Sequence, residues 1–296
     1  MFSRVRNSLA AYPLDRLLHS CKPLEKPRLL IYWNRGLGDI PLGLYALCVH
    51  IRKILPSATI SFLTRRDLAE AFTMLEQVEV LVDPDMERGK PFSIQASLTR
   101  LGAGAFDLIL EKIDATKWLR WQIGKITPRL QWNLSWEKDI ASFALDKEYL
   151  GVHVSSETSQ FYGYEKNWSQ ESFQKLFCTI KGKQKVLLFG FNAEPRFEGD
   201  HIIDLRGKTS LYAMLAIIKN HCSHLLAPDS GVLSVVYYID EQFPLRVVSL
   251  WSDPRQGILR QKVASPNKSL IHLPLIGFGE AAKNISVEQV VKALYC

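Results

Sequence analysis

Short apolar runs alternate with amphipathic segments along this chain, and that alternation limits its fold more than any other feature. The run at 28–33 has the composition of a buried strand, 40–55 places apolar residues on one helical face, and 58–63 is again strand-like. The pattern starts afresh at 149–154. Strands alternating with helices at this spacing favour a parallel sheet with helices on both faces. Further strands are predicted at 78–82, 106–110, 185–189, 225–227 and 246–250, and further helices at 67–75, 170–181, 232–239 and 287–294.

The length and composition of the chain indicate two globular domains. Because 296 residues exceed what one core usually supports, we expect one α/β domain over residues 1–147 and a second over residues 148–296. Hydrophobic residues make up 47% of the chain and charged residues 23%, which is typical of a protein that folds in water. No apolar run approaches the roughly 18 to 20 residues that span a bilayer, so we expect a cytoplasmic protein.

The five cysteines indicate neither a disulfide framework nor a metal site. They are scattered and form no CxxC pair, and Cys222 with His224 offers too few ligands to hold a metal ion. We therefore expect reduced, structural cysteines, as in a cytosolic protein, and predict neither a metal nor a cofactor.

The stretch from Asp204 to Gly231 carries the strongest functional signal. Its order is a strand end with a basic turn, Thr209 or Ser210 as a helix N-cap, an apolar helix, and a strand that ends in Asp229-Ser230-Gly231. In a parallel sheet, ligands bind at the carboxyl ends of the strands, where the next helix presents free N–H groups. Asp229, Ser230 and Gly231 are therefore placed to hold a polar ligand. The alternative is a simple strand-to-helix turn with Asp229 or Ser230 as the cap.

The turn after the first predicted strand contains a second candidate site. Gly36 and Gly38 let the backbone approach a ligand closely, and Asp39 stands at the start of the next helix. The sequence R-G-L-G-D does not match the GxGxxG dinucleotide motif, so NAD binding is not predicted. Asp39 either points towards a ligand or only caps the helix.

Taken together, these motifs resemble the heptosyltransferases of glycosyltransferase family 9. The G-K-T-S-L turn, the helix and the D-S-G strand end are similar to the C-terminal half of that family, and R-G-L-G-D is similar to its N-terminal G-D-[IV] motif. Lys166 precedes Trp168 and a helix start, and a glycine turn leads to Glu194, in the family's order. The resemblance implies the GT-B fold, with two Rossmann-like domains whose parallel sheets face each other across an interdomain cleft and with a last helix that crosses back to the first domain.

The resemblance also implies roles for individual residues. Asp39 is the implied general base, Lys166 binds the donor pyrophosphate, and Glu194 contacts the nucleoside. Asp229 holds sugar hydroxyls. A surface lysine is the alternative for Lys166, and Glu198 competes with Glu194. Thr209, Ser210, Ser230 and Gly231 complete the donor-binding set, and Gly38, Arg120 and Trp121 form the acceptor side.

Positive charge is concentrated in the N-terminal half. Residues 1–28 and 112–138 each carry six cationic and two anionic side chains, a net charge of +4, within a total of +7. The second segment also contains four tryptophans, at positions 118, 121, 132 and 136. This combination suits an anionic glycolipid acceptor or the inner face of a membrane. Single-stranded nucleic acid and a solvated basic face over a tryptophan core are the alternatives.

One position departs from the family. A histidine usually follows the Asp-Ser/Thr-Gly triplet by three residues, and here that position is Ser234. The predicted function is a metal-independent, inverting glycosyltransferase that uses a nucleotide-diphosphate sugar, with ADP-heptose implied as donor and a lipopolysaccharide core or another glycan as acceptor. The alternatives are a catalytically degenerate sugar-nucleotide-binding protein and a nucleotide-sugar epimerase.

Overall fold

The computed structural model describes residues 14–113, 122–156 and 165–296. The chain divides into two compact units: unit 1 is Met1–Gln131 with Gln261–Ala264, and unit 2 is Trp132–Arg260 with Ser265–Cys296. Each unit contains one fully parallel sheet with helices. The predicted α/β class with two Rossmann-like parts is therefore confirmed. The domain boundary at residues 147/148 stays a prediction.

Unit 1 has a four-stranded sheet of order β3-β2-β1-β4. Its strands are β1 (Arg28–Tyr32), β2 (Thr59–Thr64), β3 (Val78–Val82) and β4 (Leu108–Leu110). Its helices are α1 (Tyr45–Ile54), preceded by a π-helical turn (Ile40–Leu44), α2 (Arg66–Thr73) and α3 (Ile94–Arg100), and residues 14–20 are also helical.

The central strand β1 shows why the apolar pattern forms this sheet. Leu29, Leu30 and Ile31 are completely buried, and Leu30 pairs with Ser61 of β2 on one side and Ile109 of β4 on the other. A strand buried on both faces is expected to be apolar without alternation. The predicted helical face that follows, at positions 44, 47, 51 and 55, is buried as well.

Unit 2 has a six-stranded sheet of order β7-β6-β5-β8-β9-β10, the doubly wound Rossmann order. Its strands are β5 (Tyr149–His153), β6 (Val186–Phe189), β7 (Ile202–Asp204), β8 (Cys222–Pro228), β9 (Leu245–Trp251) and β10 (Leu270–Ile276). Its helices are α4 (Gln170–Ile180), α5 (Leu211–His221), α6 (Gly231–Tyr238), α7 (Gly257–Gln261), whose last residue belongs to unit 1, and α8 (Val287–Tyr295). Short 3₁₀ turns lie at Leu134–Glu137, Asp139–Phe143, Phe278–Glu280 and Ala282–Asn284.

The two faces of the second sheet are covered by different helices. Val152 and Val154 share a buried cluster with Phe173 of α4 and Val290 of α8. Helices α5 and α6 lead into β8 and β9, which extend the sheet on the side of β5 opposite to β6 and β7. Right-handed crossovers therefore place α5 and α6 on the opposite face of the sheet. Helix α8, which the resemblance implies to cross back, packs in unit 2, whereas residues 261–264 belong to unit 1.

The helical segment at residues 14–20, the 3₁₀ turns, α7 and the edge strand β10 were not predicted. Strand β10 pairs only with β9 and contains Pro274, which is tolerated at a sheet edge but weakens the strand signal in a sequence. Among the described residues, none of the helices has the length and apolar character needed to cross a membrane.

Candidate functional site

The strand order of the unit 2 sheet reverses beside β5, and the pairing at the carboxyl ends of the strands marks this place. Pairing of β5 with β6 continues to His153 and Phe189, but pairing of β5 with β8 ends at Val152 and Leu226. Strand β8 then continues beside β9 as far as Pro228. The two central strands therefore part at the point where the strand order reverses, which is where open α/β sheets bind ligands. We call this place the unit 2 crevice.

The loops that follow β5 and β8 contribute a buried ion pair to this crevice. Nζ of Lys166 lies 2.5 Å from Oδ2 of Asp229, and the two residues are 9% and 8% exposed. The amide of Asp229 donates to the Leu250 carbonyl at 3.0 Å. Near Lys166, the Trp168 indole donates to the Ile285 carbonyl at 2.8 Å. The ammonium and the carboxylate thus have fixed positions at the crevice, and Lys166 is not a surface lysine.

The ionisation of Asp229 reflects this setting. Burial raises the pKa of its carboxyl, the ammonium of Lys166 acts against that shift, and the carboxylate of Asp253 adds to it. The charged form of such a carboxyl is stabilised by a cation or a hydrogen-bond donor held close to it. Lys166 supplies that cation.

Gly257 makes room for Asp229 and was not identified from the sequence. Its φ is +48°, and a Cβ there would meet both the Asp229 carboxylate and the Trp251 ring, the ring at 2.8 Å. A glycine is therefore needed both for conformation and for space. Its place after the strand predicted at 246–250 indicates only a turn, and the contact with Asp229 that requires glycine leaves no local signal.

Ser230 caps helix α6. Its Oγ accepts from the Leu233 amide at 3.2 Å, and the Ser234 hydroxyl donates to the Ser230 carbonyl at 3.1 Å. The capping alternative is therefore correct for the Ser230 side chain. Gly231 begins the helix, and amides at a helix start favour anions.

The remaining donor-binding candidates follow β6 and β7, on the other side of β5. Glu194 is exposed, and its Oε1 lies 3.6 Å from Nε of Arg196. Its backbone amide donates to Asn192 Oδ1 at 3.0 Å. Ser210 caps α5 by accepting from the Ala213 amide at 3.1 Å, so Ser210 rather than Thr209 is the N-cap. The ligand-binding roles of Glu194, Thr209 and Ser210 stay predictions.

The basic turn after β7 is engaged by its own chain. Buried Arg206 donates to both oxygens of Asp204, at 2.9 and 2.6 Å, and to the Pro195 carbonyl at 2.8 Å. Lys208 donates to the Asp204 carbonyl at 2.8 Å. Arg206 therefore holds the loop after β6 against the end of β7, which the sequence pattern did not indicate.

In unit 1, Asp39 stands between β1 and the π-helical turn. It is half-buried, and its side chain makes no capping hydrogen bond to the turn that follows. A Cβ at Gly36 would lie 3.3 Å from Asp39 Oδ2, so the glycine lets the carboxylate fold over the loop. The carbonyl of Gly38 accepts from the Leu42 amide at 3.3 Å. The geometry does not support the cap-only interpretation of Asp39, and its catalytic role stays a prediction.

Arg65 anchors the loop that carries Asp39 and was not predicted. The buried guanidinium donates to Asn34 Oδ1 at 2.9 Å, to the Arg35 carbonyl at 3.2 Å and to Asp67 Oδ1 at 2.5 Å. Three acceptors in a fixed fork restrict both the loop and the guanidinium.

The predicted acceptor side is only partly visible. Arg120 and Trp121 lie outside the described residues. Trp136 stacks on Tyr212 of α5 with ring centroids 4.2 Å apart, and the Lys219 ammonium lies 4.9 Å from the centre of the Trp132 ring. For these two tryptophans the structure supports packing within unit 2 rather than a binding surface.

No protein-family model and no curated protein matches the chain. Several solved structures are similar to it. The glycosyl transferase family 9 protein from Veillonella parvula DSM 2008 is 16% identical, with a TM-score of 0.63 over 90% of this chain and 95% of that one. The E. coli ADP-heptose lps heptosyltransferase II is 15% identical, with a TM-score of 0.59 over 90% and 97%. The E. coli heptosyltransferase WaaC with ADP is 13% identical, with a TM-score of 0.50 over 90% and 98%. The chain therefore has the fold of the family 9 glycosyltransferases.

Proposed function

We propose that this protein is a glycosyltransferase of the heptosyltransferase type, which transfers a sugar from a nucleotide-diphosphate donor to a glycan hydroxyl. The observation that supports this most is the Lys166–Asp229 pair at the carboxyl end of a sheet with the Rossmann strand order. A cation next to a helix start suits a diphosphate, and a carboxylate suits sugar hydroxyls.

The donor we propose is ADP-heptose. Lys166 and the first amides of α6 would neutralise the diphosphate, and Asp229 would accept hydrogen bonds from the sugar. Glu194, with Thr209 and Ser210, would contact the nucleoside end. A structural neighbour of the same fold, WaaC, was solved with ADP, which supports an adenine nucleotide as the first ligand to test.

In the proposed reaction the acceptor hydroxyl attacks the anomeric carbon and passes its proton to the Asp39 carboxylate. The new glycosidic C–O bond forms as the bond from the anomeric carbon to the donor phosphate breaks, and the configuration inverts. The nucleoside diphosphate leaves with the bonding electrons. Lys166 and the α6 amides would stabilise its charge, so we propose that the reaction needs no metal.

We further propose a lipopolysaccharide core or another anionic glycan as acceptor, and contact with an anionic membrane surface. The support is the net charge of +4 in residues 1–28, together with Leu17 and Leu24, which are exposed in the described part of that segment. Liposome co-sedimentation should rise with the fraction of anionic lipid and fall with salt. Salt-independent binding, or none at low salt, would remove this part of the proposal.

A catalytically degenerate nucleotide-sugar-binding protein is the second candidate. It is favoured by Ser234, which stands where the family usually has a histidine and whose buried hydroxyl is engaged with the Ser230 carbonyl inside α6. Both candidate functions require donor binding, but only the glycosyltransferase transfers the sugar.

Binding and turnover should be measured together. We expect ADP-heptose to raise the melting temperature more than UDP-, GDP- or CMP-sugars do, because a ligand that binds only the folded state stabilises it.

Lys166→Met should weaken donor binding through the loss of a charge-assisted contact of about 1.5 to 3 kcal/mol. The matched control is Lys175→Met, because Lys175 pairs with Glu288 in an exposed ion pair at 3.0 Å. Equal affinities of the two variants would remove Lys166 from the site, and donor binding without ADP release would favour the degenerate protein.

A further inference from the structure

His153 occupies the point at which the unit 2 sheet divides. It is the last residue of β5, it still pairs with Phe189 of β6, and the pairing of β5 with β8 ends one residue earlier. Val152 and Val154 face α4 and α8. Because side chains alternate along a strand, the His153 imidazole points to the other face, where α5 and α6 lie.

One nitrogen of the imidazole is buried without a hydrogen-bond partner among the described residues. His153 is 6% exposed, and within the described residues its Nδ1 atom has no hydrogen-bond partner. Burial lowers its pKa to about 4, so the ring is neutral at physiological pH and carries one N–H donor and one acceptor nitrogen. A buried polar atom without a partner costs stability. An apolar side chain like its neighbours would pack there without that cost.

We infer that His153 is a ligand-binding residue whose imidazole hydrogen-bonds an oxygen of the diphosphate group bound in the unit 2 crevice. The inference rests on the proposed function and adds to it one ligand-binding residue in the unit 2 crevice. Three observations carry it: the position of His153 at the parting of β5 and β8, its unpartnered nitrogen, and the Lys166–Asp229 pair on the loops that leave the same two strands.

A diphosphate is the group that fits this position. The ammonium of Lys166 and the N-terminal amides of α6 favour an anion, and a neutral imidazole adds an N–H donor without adding a formal charge. A phosphate oxygen accepts such a bond directly. The ligand would give the imidazole the partner that it lacks.

The test is calorimetric titration of ADP into the full-length protein and three variants at this position. His153→Leu and His153→Phe remove both ring nitrogens, and we expect each to weaken ADP binding about 10- to 100-fold while the melting temperature stays equal or rises. His153→Asn keeps an amide nitrogen near the position of Nδ1 and should restore part of the affinity. The matched control is His201→Leu, since His201 precedes β7 at the amino edge of the same sheet and should leave the affinity unchanged.

The outcomes separate the inference from the proposed function. If wild type binds ADP and the folded Leu or Phe variant binds it equally well, His153 is not a ligand-binding residue, and the proposed function stands. If wild type binds neither ADP nor a nucleotide sugar, the proposed function fails and the inference fails with it. If the apolar variants lose stability together with affinity and Asn restores neither, the imidazole is a structural group and the inference is overturned.

Discussion

The ammonium nitrogen of Lys166 lies 2.5 Å from Oδ2 of Asp229, and the contact joins the loops that leave β5 and β8 on either side of the unit 2 crevice. Removing either partner abolishes this ion pair and leaves the other charge in a largely desolvated place without it. Lys166→Met or Asp229→Asn should therefore lower the free energy of unfolding, with about 3 kcal/mol as the scale for a broken buried pair.

The double variant Lys166→Met/Asp229→Asn should be destabilised by clearly less than the sum of the two single changes, because both single changes remove the same ion pair. Chemical denaturation of all four proteins measures this difference. Strict additivity would show that the two groups do not depend on each other.

Gly257→Ala should displace Asp229. The added Cβ meets the Asp229 carboxylate and the buried Trp251 ring, so we expect a loss of both stability and nucleotide binding. Gly182→Ala is the matched control, because Gly182 has φ +82° and nothing within 4 Å of an added Cβ. The control should show only the backbone strain, roughly 1 to 2 kcal/mol. Equal melting temperatures and affinities for the two variants would contradict the account of Gly257.

Acid should destabilise unit 2 through His272. Its Nε2 lies 2.6 Å from Ser249 Oγ, and burial lowers its pKa from 6.5 to about 4. Between these two values the unfolded chain binds a proton that the folded protein does not bind, so stability falls as pH falls from 6.5 to about 4. The slope is at most about 1.4 kcal/mol per pH unit for each such histidine.

His272→Gln keeps a polar group near Ser249 but does not titrate. It should reduce this slope, and denaturation curves recorded at intervals between pH 4 and pH 7 would show the change. An unchanged slope in the variant would mean that other groups account for the acid sensitivity.

The short-range pattern was enough to predict most of the fold. Strand β1 and helix α4, with Ser169 as its N-cap, appear close to the predicted positions because burial and capping leave signals within a few residues. Edge strand β10 escaped prediction because Pro274 and its partly exposed apolar residues obscure the strand pattern.

The site could be predicted only in part, for a different reason. Asp229 stands at a recognisable strand end, so its position and residue type indicated it, whereas Lys166 was identified only through the family resemblance. The need for glycine at position 257 and the anchoring of the Asp39 loop by Arg65 depend on contacts with residues distant in sequence. Such contacts are formed by tertiary packing and leave no local pattern.

The central claim is that Asp39 acts as the base in a sugar transfer, and the most direct test is the transfer rate of Asp39→Asn. Asn has nearly the same size, but its amide cannot take up the acceptor proton. With ADP-heptose and lipopolysaccharide-core acceptors, mass spectrometry should show product formation by wild type and a rate lower by roughly 10² to 10⁴-fold in the variant. Donor affinity and melting temperature should stay nearly unchanged. Transfer by the variant at the wild-type rate, or no transfer by wild type to any core acceptor, would contradict the account.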